Sequence, residues 1–162
     1  IIESAYRLNT TLSSLLTLNE IEAGHRKLYY EETSVKEFLK IVYDNFYKIA
    51  QKKNIILRIN TIDDIKFETD TSILSQIFFN LIENAIKHNV VSREKTLTIS
   101  LEIIHQETLQ VKNNINPRLS KQPGAGMGLQ NIISRYNLLS NKKVTVINDD
   151  RYFIVSLPLL KK

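Results

Sequence analysis

The chain has 162 residues, a formal net charge of +5, and a composition of 43% hydrophobic and 24% charged residues. That length suffices for one domain with a sizeable core and an additional element. The chain contains no cysteine, which excludes a disulfide framework and a thiolate metal site. Lysine and arginine are interleaved with acidic residues, so no nucleic-acid interface is predicted, and no apolar run reaches the about 18 residues of a membrane span.

The first 24 residues predict a helix that ends at Gly24. Its apolar residues recur at steps of four and three, the a/d spacing of a coiled-coil seam: Ile1, Ala5, Leu8, Leu12 and Leu15. Two heptads leave two interpretations open, which are pairing with another helix and packing on the chain's own domain.

Short strands and helices alternate from residue 28 onward. A strand is predicted over 28–32, and Ser34-Val-Lys-Glu37 is a capping box that begins a helix ending near Lys52. The apolar stripe of that helix comprises Val35, Phe38, Leu39, Val42, Phe46, Ile49 and Ala50. Two further strands are predicted at 55–59 and 65–67.

The stretch 70–89 predicts a helix with two unlike faces, capped by Asp70 or Thr71. Its apolar stripe comprises Ile73, Leu74, Ile77, Phe78, Leu81, Ile82 and Ala85. Beside the stripe lie Gln76, Asn80, Asn84 and Lys87. A buried amide without partners costs about 1–3 kcal/mol. This edge is therefore either solvated or met by a polar ligand such as a metal ion with phosphates.

The remaining chain predicts two hairpins with a lid and a helix between them. The first hairpin pairs 97–103 with 109–111, and the last pairs 144–147 with 152–157. The polar, proline-containing segment 113–123 is interpreted as a flexible lid. The mixed order of elements predicts an α+β fold with one mixed sheet covered by helices on one face.

Three glycines, Gly124, Gly126 and Gly128, directly precede the predicted helix. Glycine lets the backbone approach a ligand closely, and the first amides of a helix carry partial positive charge. Alone, such a triplet also fits a tight loop. Together with the amide-edged helix about forty residues upstream, it predicts a phosphate site.

These segments resemble a known family. Asn80-Leu-Ile-Glu-Asn-Ala-Ile-Lys-His88 resembles the N box of the ATP-binding domain of sensor histidine kinases. Gly124-Ala-Gly-Met-Gly-Leu129 with the following 130–135 resembles the G2 box of that family, most of all in the branch whose partners often carry a LytTR DNA-binding domain. Leu18-Asn-Glu-Ile-Glu-Ala-Gly24 resembles the end of the second helix of the dimerisation and phosphotransfer domain.

The resemblance implies that 1–27 are part of a dimerisation hairpin and that 28–162 are an ATP-binding catalytic domain. The implied fold is the Bergerat-type α+β sandwich of the GHKL ATPase superfamily, preceded by a long N-terminal helix. The implied protein is a membrane-anchored bacterial sensor with this domain in the cytoplasm, a homodimer through the N-terminal helix. ATP and Mg²⁺ are its implied cofactors and a response regulator its implied partner.

The resemblance also implies a site. Asn84 would ligate the Mg²⁺ that bridges the ATP phosphates, Asn80 would support Asn84, Lys87 would meet a phosphate, and His88 would border the ribose or the phosphates. The backbone from the lid side would hold the phosphates through Gly124, Gly126, Gly128 and the Leu129 amide. ATP-hydrolysing relatives of the fold have a water-activating glutamate where this chain has Asn80, which favours phosphoryl transfer over hydrolysis.

No catalytic residue is assigned within the chain. His25, His88 and His105 do not stand in a helix beside an acidic residue in the manner of the family's phosphoacceptor. The resemblance therefore implies a protein-histidine kinase domain whose phosphoacceptor histidine lies outside this chain.

One segment departs from the family pattern. Where the family usually has Asp-x-Gly-x-Gly, this chain has Asn113-Asn-Ile-Asn-Pro117. Asn113 stands in place of the aspartate that accepts from the adenine amino group, and a neutral hydrogen bond is roughly half as strong as a charge-assisted one. Two functions stay open: a kinase domain that passes the γ-phosphate of ATP to a histidine and then to a regulator, and a degenerate domain that acts as a non-catalytic binding or dimerisation module.

Overall fold

The computed structural model describes residues 16, 19–21, 23–24, 27–61, 64–117 and 127–159. Most of the predicted N-terminal helix, including its a/d seam, lies outside these residues. Of the described part, Leu16 and 19–21 are helical, and the Ala23 amide donates to the Asn19 carbonyl at 2.9 Å. Gly24 has φ +72°, a left-handed conformation that favours glycine and commonly ends a helix.

The described ranges contain seven strands and three long helices, which follow one another in mixed order. The strands are β1 (Glu31–Ser34), β2 (Ile55–Asn60), β3 (Lys66–Thr69), β4 (Leu97–Ile104), β5 (Thr108–Asn114), β6 (Thr145–Asn148) and β7 (Tyr152–Pro158). The helices are α1 (Val35–Lys52), α2 (Thr71–His88) and α3 (Met127–Leu139).

Five of the strands form a mixed sheet in the order β2-β4-β5-β7-β6. The β2–β4 pair is parallel and the other three pairs are antiparallel, so the predicted mixed sheet and both predicted hairpins are confirmed. In register, Asn113 of β5 stands between Ile99 of β4 and Phe153 of β7.

The prediction of a single sheet is wrong in one respect, because β1 and β3 pair antiparallel in a separate two-stranded sheet. Each of these strands runs directly into a helix: β1 into α1, and β3 into α2 through Asp70. The small sheet therefore lies at the N-terminal ends of α1 and α2 and not at an edge of the larger sheet.

The three helices cover one face of the five-stranded sheet, as predicted, and the core lies between the two layers. Inward-facing strand residues alternate with more exposed ones along β4, where Leu97, Ile99 and Leu101 are fully buried. The rings of Phe38 in α1 and Phe78 in α2 meet edge to face at 5.1 Å between centroids.

Side-chain caps fix where the helices begin. Asp70 Oδ1 accepts from the Ile73 amide at 3.1 Å, and Asp70 Oδ2 accepts from the Tyr29 amide at 3.1 Å. Ser34 caps α1 by accepting from the Glu37 amide at 3.1 Å, as the capping box predicts. One residue of the predicted α1 stripe is misplaced, because Ile49 is 42% exposed.

Candidate functional site

The site is built on the polar edge of α2. Asn80, Asn84, Lys87 and His88 are all half-buried and recur at steps of three and four, so they lie along one side of the helix. Lys87 and His88 fall in the last turn, where the positive charge of Lys87 complements the carbonyl end of the helix.

The start of α3 meets this edge at Asn84. A β-carbon built on Gly128 would lie 3.1 Å from Asn84 Nδ2 and 3.5 Å from Asn84 Oδ1. The Gly128 backbone therefore lies directly against the Asn84 carboxamide, an approach that a larger residue would obstruct. The two segments that the sequence linked through a resemblance are adjacent in the structure.

Part of the predicted phosphate loop can be placed on α3. Gly128 and Leu129 belong to the first turn of this helix, whose amides have no acceptor within the helix and point to its N-terminal end. Gly124 and Gly126 lie outside the described residues.

Helices α2 and α3 run antiparallel. Gly128 at the start of α3 meets Asn84 near the end of α2, while Tyr136 and Leu139 near the end of α3 line a small cavity with Leu74 near the start of α2. The polar edge of α2 therefore runs beside α3, from the start of α3 at Gly128 towards its end.

Asn113, predicted to meet the adenine base, is buried in β5. It is 3% exposed and lies on the same face of the strand as Leu109 and Val111, which is the face covered by the helices. Its Nδ2 donates to the Asn114 carbonyl at 2.8 Å. This contact orients the carboxamide and leaves Oδ1 as its acceptor.

The segment after Asn113 is held by carboxamide hydrogen bonds, an arrangement that we call the asparagine clasp (Asn89, Asn114 and Asn116). Asn89 Oδ1 accepts from the Asn116 amide at 2.6 Å, and Asn89 Nδ2 donates to the Ala85 carbonyl at 2.8 Å. Asn114 Oδ1 accepts from the Thr98 amide at 2.7 Å. The clasp ties 115–117 to the end of α2 and the start of β4.

The clasp corrects the predicted lid. Asn113 and Asn114 belong to β5, and Pro117 forms an isolated bridge with Asn89, so the first part of 113–123 is pinned to the domain. The rest of the segment, from 118, lies outside the described residues. The pair Asn114 and Asn116 is the sequence signal that could have revealed the clasp, because a spacing of two puts both side chains on one face of an extended chain.

The donor set of the site suits a hard cation with few protein ligands. Among the residues that the structure describes, no group of three or more histidine, aspartate or glutamate side chains could hold a metal ion. Mg²⁺ keeps several waters and is commonly bound through one or two protein oxygens together with substrate phosphates. The carboxamide oxygen of Asn84, beside the amides of α3, fits that pattern.

The two described histidines occupy different positions. His88 lies in the last turn of α2, near the proposed phosphate site, and His105 lies in the turn between β4 and β5 with φ +52°. His25 lies outside the described residues.

The mixed sheet, the helical layer on one face, and the contact between α2 and the start of α3 define the fold of a histidine kinase catalytic domain. The structure is similar to that of the Acinetobacter baumannii histidine kinase AdeS, with a TM-score of 0.74 and 18% identity over 98% of this chain and 81% of that one. It is also similar to the catalytic domain of the histidine kinase ThkA, with a TM-score of 0.62 and 22% identity over 80% of this chain and 95% of that one. A further structure shows ThkA in complex with the response regulator protein TrrA.

Sequence comparison agrees with the structural one. The chain is 24% identical to the histidine kinase P4 of Formosa agariphila over 96% of this chain and 13% of that protein. It is 28% identical to the heme sensor protein HssS of Staphylococcus saprophyticus over 61% of this chain and 22% of that protein. No protein-family model matches the chain. The chain thus has the fold of a sensor histidine kinase ATP-binding domain and a sequence similar to such kinases, and it spans less than a quarter of the length of these two relatives.

None of the helices in the described ranges is long and apolar enough to cross a membrane. The resemblance to the branch paired with LytTR regulators stays a prediction.

Proposed function

We propose that this chain is the catalytic ATP-binding portion of a sensor histidine kinase. It would bind Mg-ATP between the polar edge of α2 and the first turn of α3, and present the γ-phosphate to a histidine outside this chain. A response regulator would then take the phosphoryl group from that histidine. The observation that carries this proposal is the contact of Gly128 with Asn84, because it joins a carboxamide and a helix N-terminus in one place.

The four polar residues of the α2 edge have different roles in this proposal. Asn84 would give Mg²⁺ its carboxamide oxygen, and Asn80, one turn earlier on the same side, would hold Asn84 in place. Lys87 would meet a phosphate oxygen as a point charge, and His88 would border the ribose or the phosphates. When bound, Mg²⁺ would neutralise charge on the phosphates.

The opposite wall would be formed by backbone. The amides of Gly128 and Leu129 point out of the first turn of α3 and would donate to phosphate oxygens, with Gly124 and Gly126 continuing this wall. Because the negative phosphates meet the positive end of α3, this arrangement is favourable before any side chain contributes.

The base would be read by Asn113. Its Nδ2 is engaged by the Asn114 carbonyl, so the group available to a ligand is the acceptor Oδ1. An acceptor matches the exocyclic amino group of adenine and opposes the exocyclic oxygen of guanine.

The site favours transfer over hydrolysis. ATP-hydrolysing relatives of the fold have a water-activating glutamate at the position of Asn80. The carboxamide of Asn80 has no useful basicity and would not activate water. Rate enhancement would come from positioning the γ-phosphate and from neutralising its charge, which is the usual strategy in phosphoryl transfer.

The partners of the full protein follow from the same proposal. A response regulator would dock near the phosphorylated histidine, and the complex of ThkA with TrrA supports this partner class. Residues 1–27 would be part of a dimerisation hairpin, with 28–162 as the catalytic domain on the cytoplasmic side of a membrane-anchored sensor.

A second candidate function keeps the fold without catalysis. The asparagine clasp occupies the segment in which the family has the two glycines of its adenine loop, and it ties that segment to the domain's own backbone. This observation favours a degenerate domain that serves as a binding or dimerisation module.

Calorimetric titration of the protein with the non-hydrolysable analogue AMP-PNP and Mg²⁺ separates the two candidates. The kinase proposal expects saturable binding that weakens when EDTA removes the metal. The absence of binding at millimolar nucleotide would overturn it and leave the non-catalytic module. Transfer of labelled phosphate from ATP to the histidine-bearing hairpin of the full protein then tests the reaction itself.

A further inference from the structure

The outer edge of β6 is open for pairing. β6 is the last strand in the order β2-β4-β5-β7-β6, and within the described ranges no strand pairs with its outer side. Thr145, Ile147 and Asn148 are exposed, and the apolar side chain of Ile147 is 47% exposed. An uncovered strand edge presents backbone N–H and C=O groups that can pair with another chain. The edge of β6 is therefore a candidate interaction surface.

The hairpin of β6 and β7 shows which backbone groups face outward. The Asp149 amide donates to the Tyr152 carbonyl at 3.1 Å, so these two residues form a hydrogen-bonded pair at the end of the ladder. Hydrogen-bonded and non-hydrogen-bonded pairs alternate along an antiparallel ladder, so every second residue before Asp149 bonds to β7. The backbone groups of the residues between them point to the free edge: Val144, Val146 and Asn148.

Opposite charges flank this edge at equal distances from its centre. Lys143 lies three residues before Val146, and Asp149 lies three residues after it. Lys142 and Asp150 lie at four residues on either side. If a second copy pairs antiparallel with Val146 opposite Val146, each lysine stands opposite an aspartate of the other copy. Parallel pairing would instead set lysine against lysine and aspartate against aspartate, and like charges directly opposite one another are destabilising.

The same antiparallel register satisfies the backbone. With Val146 opposite Val146, the outward groups of Val144 meet those of Asn148 in the other copy, and residues in such pairs exchange hydrogen bonds. A shift by two residues would leave one of these three residues without its counterpart. On the outer face of the sheet, Thr145 of one copy lies opposite Ile147 of the other, so the exposed isoleucine gains a cross-strand neighbour. Backbone and charge therefore select one register independently.

We propose that β6 is a self-association edge, at which two copies of this chain pair antiparallel about a twofold axis through Val146. The two five-stranded sheets then form one continuous sheet, with the helices of both copies on the same face. The contact is isologous, so it closes after two copies and removes an open edge from each. Because the paired edge is short, the association is weak and depends on protein concentration. The inference involves other residues than the dimerisation proposed for 1–27, and it does not rest on the nucleotide site.

Disulfide trapping tests the register, because the chain contains no cysteine. Thr145→Cys and Ile147→Cys are made separately in the full chain, and oxidised glutathione is added to each variant and to their equimolar mixture. In the proposed register the two different cysteines face one another with Cα atoms about 4.5 Å apart, a distance that a disulfide bridges. Identical cysteines are offset by two residues and lie roughly 8 Å apart, which is too far.

We expect the mixture to give at least about five times more disulfide-linked dimer than either variant alone, since only the mixture holds a bridgeable pair. Lys48→Cys, at an exposed position of α1, measures the yield from random collision. Equal yields in the mixture and in the single variants would overturn the proposal. A larger yield for either single variant would also overturn it, because identical residues would then face one another.

A charge variant tests the flanking pairs. Lys143→Glu in both members of the mixture sets a glutamate against Asp149 of the other copy, and we expect the yield of linked dimer to fall by about fivefold. Lys48→Glu makes the same change of charge far from the edge in sequence, on an exposed position of α1, and leaves the yield unchanged. If both variants lower the yield equally, net charge controls the association and the proposed contact is overturned.

Amide hydrogen exchange gives a reading without cysteines. NMR spectra at about 50 µM and about 1 mM protein compare a mostly monomeric with a partly associated sample. The N–H groups of Val146 and Asn148 exchange more slowly at the higher concentration in the parent protein, and this slowing is lost in Lys143→Glu. The N–H groups of Thr145 and Ile147, which bond to β7, do not change. Exchange at Val146 and Asn148 that is independent of concentration would overturn the proposal.

Discussion

Gly128 of α3 lies so close to Asn84 of α2 that a β-carbon on the glycine would stand 3.1 Å from the Asn84 Nδ2. This is tighter than ordinary van der Waals contact, and the neighbouring atom belongs to a side chain that the proposed site requires in a defined position. The contact therefore links the shape of the α3 backbone to the orientation of a metal ligand.

Substitution of Gly128 tests that link. We expect Gly128→Ala to displace the Asn84 carboxamide and to weaken Mg-AMP-PNP binding by about tenfold, while the unfolding free energy stays equal or rises by up to about 1 kcal/mol, because alanine is the better helix former. Titration calorimetry and urea unfolding measure the two quantities. Ser134→Ala, at an exposed position of α3, is the control. Parental affinity in Gly128→Ala would contradict the proposed geometry.

We expect the Mg²⁺ dependence of nucleotide binding to require Asn84. Asn84→Ala removes the carboxamide that lies against the α3 backbone at Gly128, so we expect nucleotide affinity in the variant to be the same in Mg²⁺ and in EDTA. Asn84→Asp keeps an oxygen ligand and retains a metal effect. Asn45→Ala is the control, because Asn45 is exposed on α1 and its Nδ2 donates to the Ile41 carbonyl. A metal effect that survives in Asn84→Ala would place the cation elsewhere.

Local pattern predicts most of this fold, and tertiary contact explains what it misses. The bounds of α2 could be predicted because Asp70 caps the helix, and the seven apolar residues of the predicted stripe are all buried. By contrast, β1 and β3 have four residues each, too few for alternation to show which strand they pair with. Ile49 fits the helical period of α1, yet it is 42% exposed, because periodicity alone does not show how wide the buried face of a helix is.

The candidate site was likewise predicted only in part, because some of its features depend on tertiary contacts. The spacing of residues could not show that Gly128 contacts Asn84. The glycine triplet and the amide-edged helix together predicted a phosphate site, and the resemblance to kinases linked their segments. The segment 113–123 was interpreted as a lid. Composition could not show otherwise, because asparagines that bind the backbone and asparagines in a solvated loop look the same in a sequence. The burial of Arg135, which is 3% exposed on α3, was not predicted, because it depends on how the helices pack.

The turn between β6 and β7 provides a pH-dependent contribution to stability. Asp149 Oδ1 accepts from the amides of Arg151 and Tyr152 at 2.7 and 2.6 Å, and these backbone hydrogen bonds, with Tyr152 the larger cause, lower the pKa of Asp149 below its ordinary value. A lowered folded-state pKa stabilises the protein above the unfolded-state pKa, and this stabilisation is lost as the pH falls through the folded-state pKa. Asp149→Asn is therefore less stable than the parent at pH 7, and the difference disappears under acid conditions. Urea midpoints at a series of pH values measure it, and a difference independent of pH would exclude the carboxylate as its source.

The asparagine clasp is expected to stabilise the domain. Asn116 Nδ2 lies 3.0 Å from the Thr96 carbonyl and 3.2 Å from the Val90 carbonyl, so Asn116→Ala leaves backbone acceptors without this donor. We expect a loss of about 1–3 kcal/mol in unfolding free energy. Amide exchange should quicken at Val90, whose N–H donates to the Asn116 carbonyl at 2.9 Å. Asn45→Ala again serves as the exposed control. A loss no greater than that of the control would mean that the clasp contributes no net stability.

Asn113 distinguishes a kinase domain from a decayed one. Asn113→Asp loses the donor to the Asn114 carbonyl, a contact of 2.8 Å, and sets two acceptors side by side. We therefore expect the protein without nucleotide to lose about 1–3 kcal/mol of stability. The charged acceptor makes a stronger bond to the adenine amino group, so AMP-PNP affinity rises several-fold, while GMP-PNP affinity does not. Titration with both nucleotides and urea unfolding measure these opposed effects. If AMP-PNP affinity falls along with stability, Asn113 serves the fold and not the base. Binding that appears only in the aspartate variant would identify the present domain as a kinase site that has lost its nucleotide.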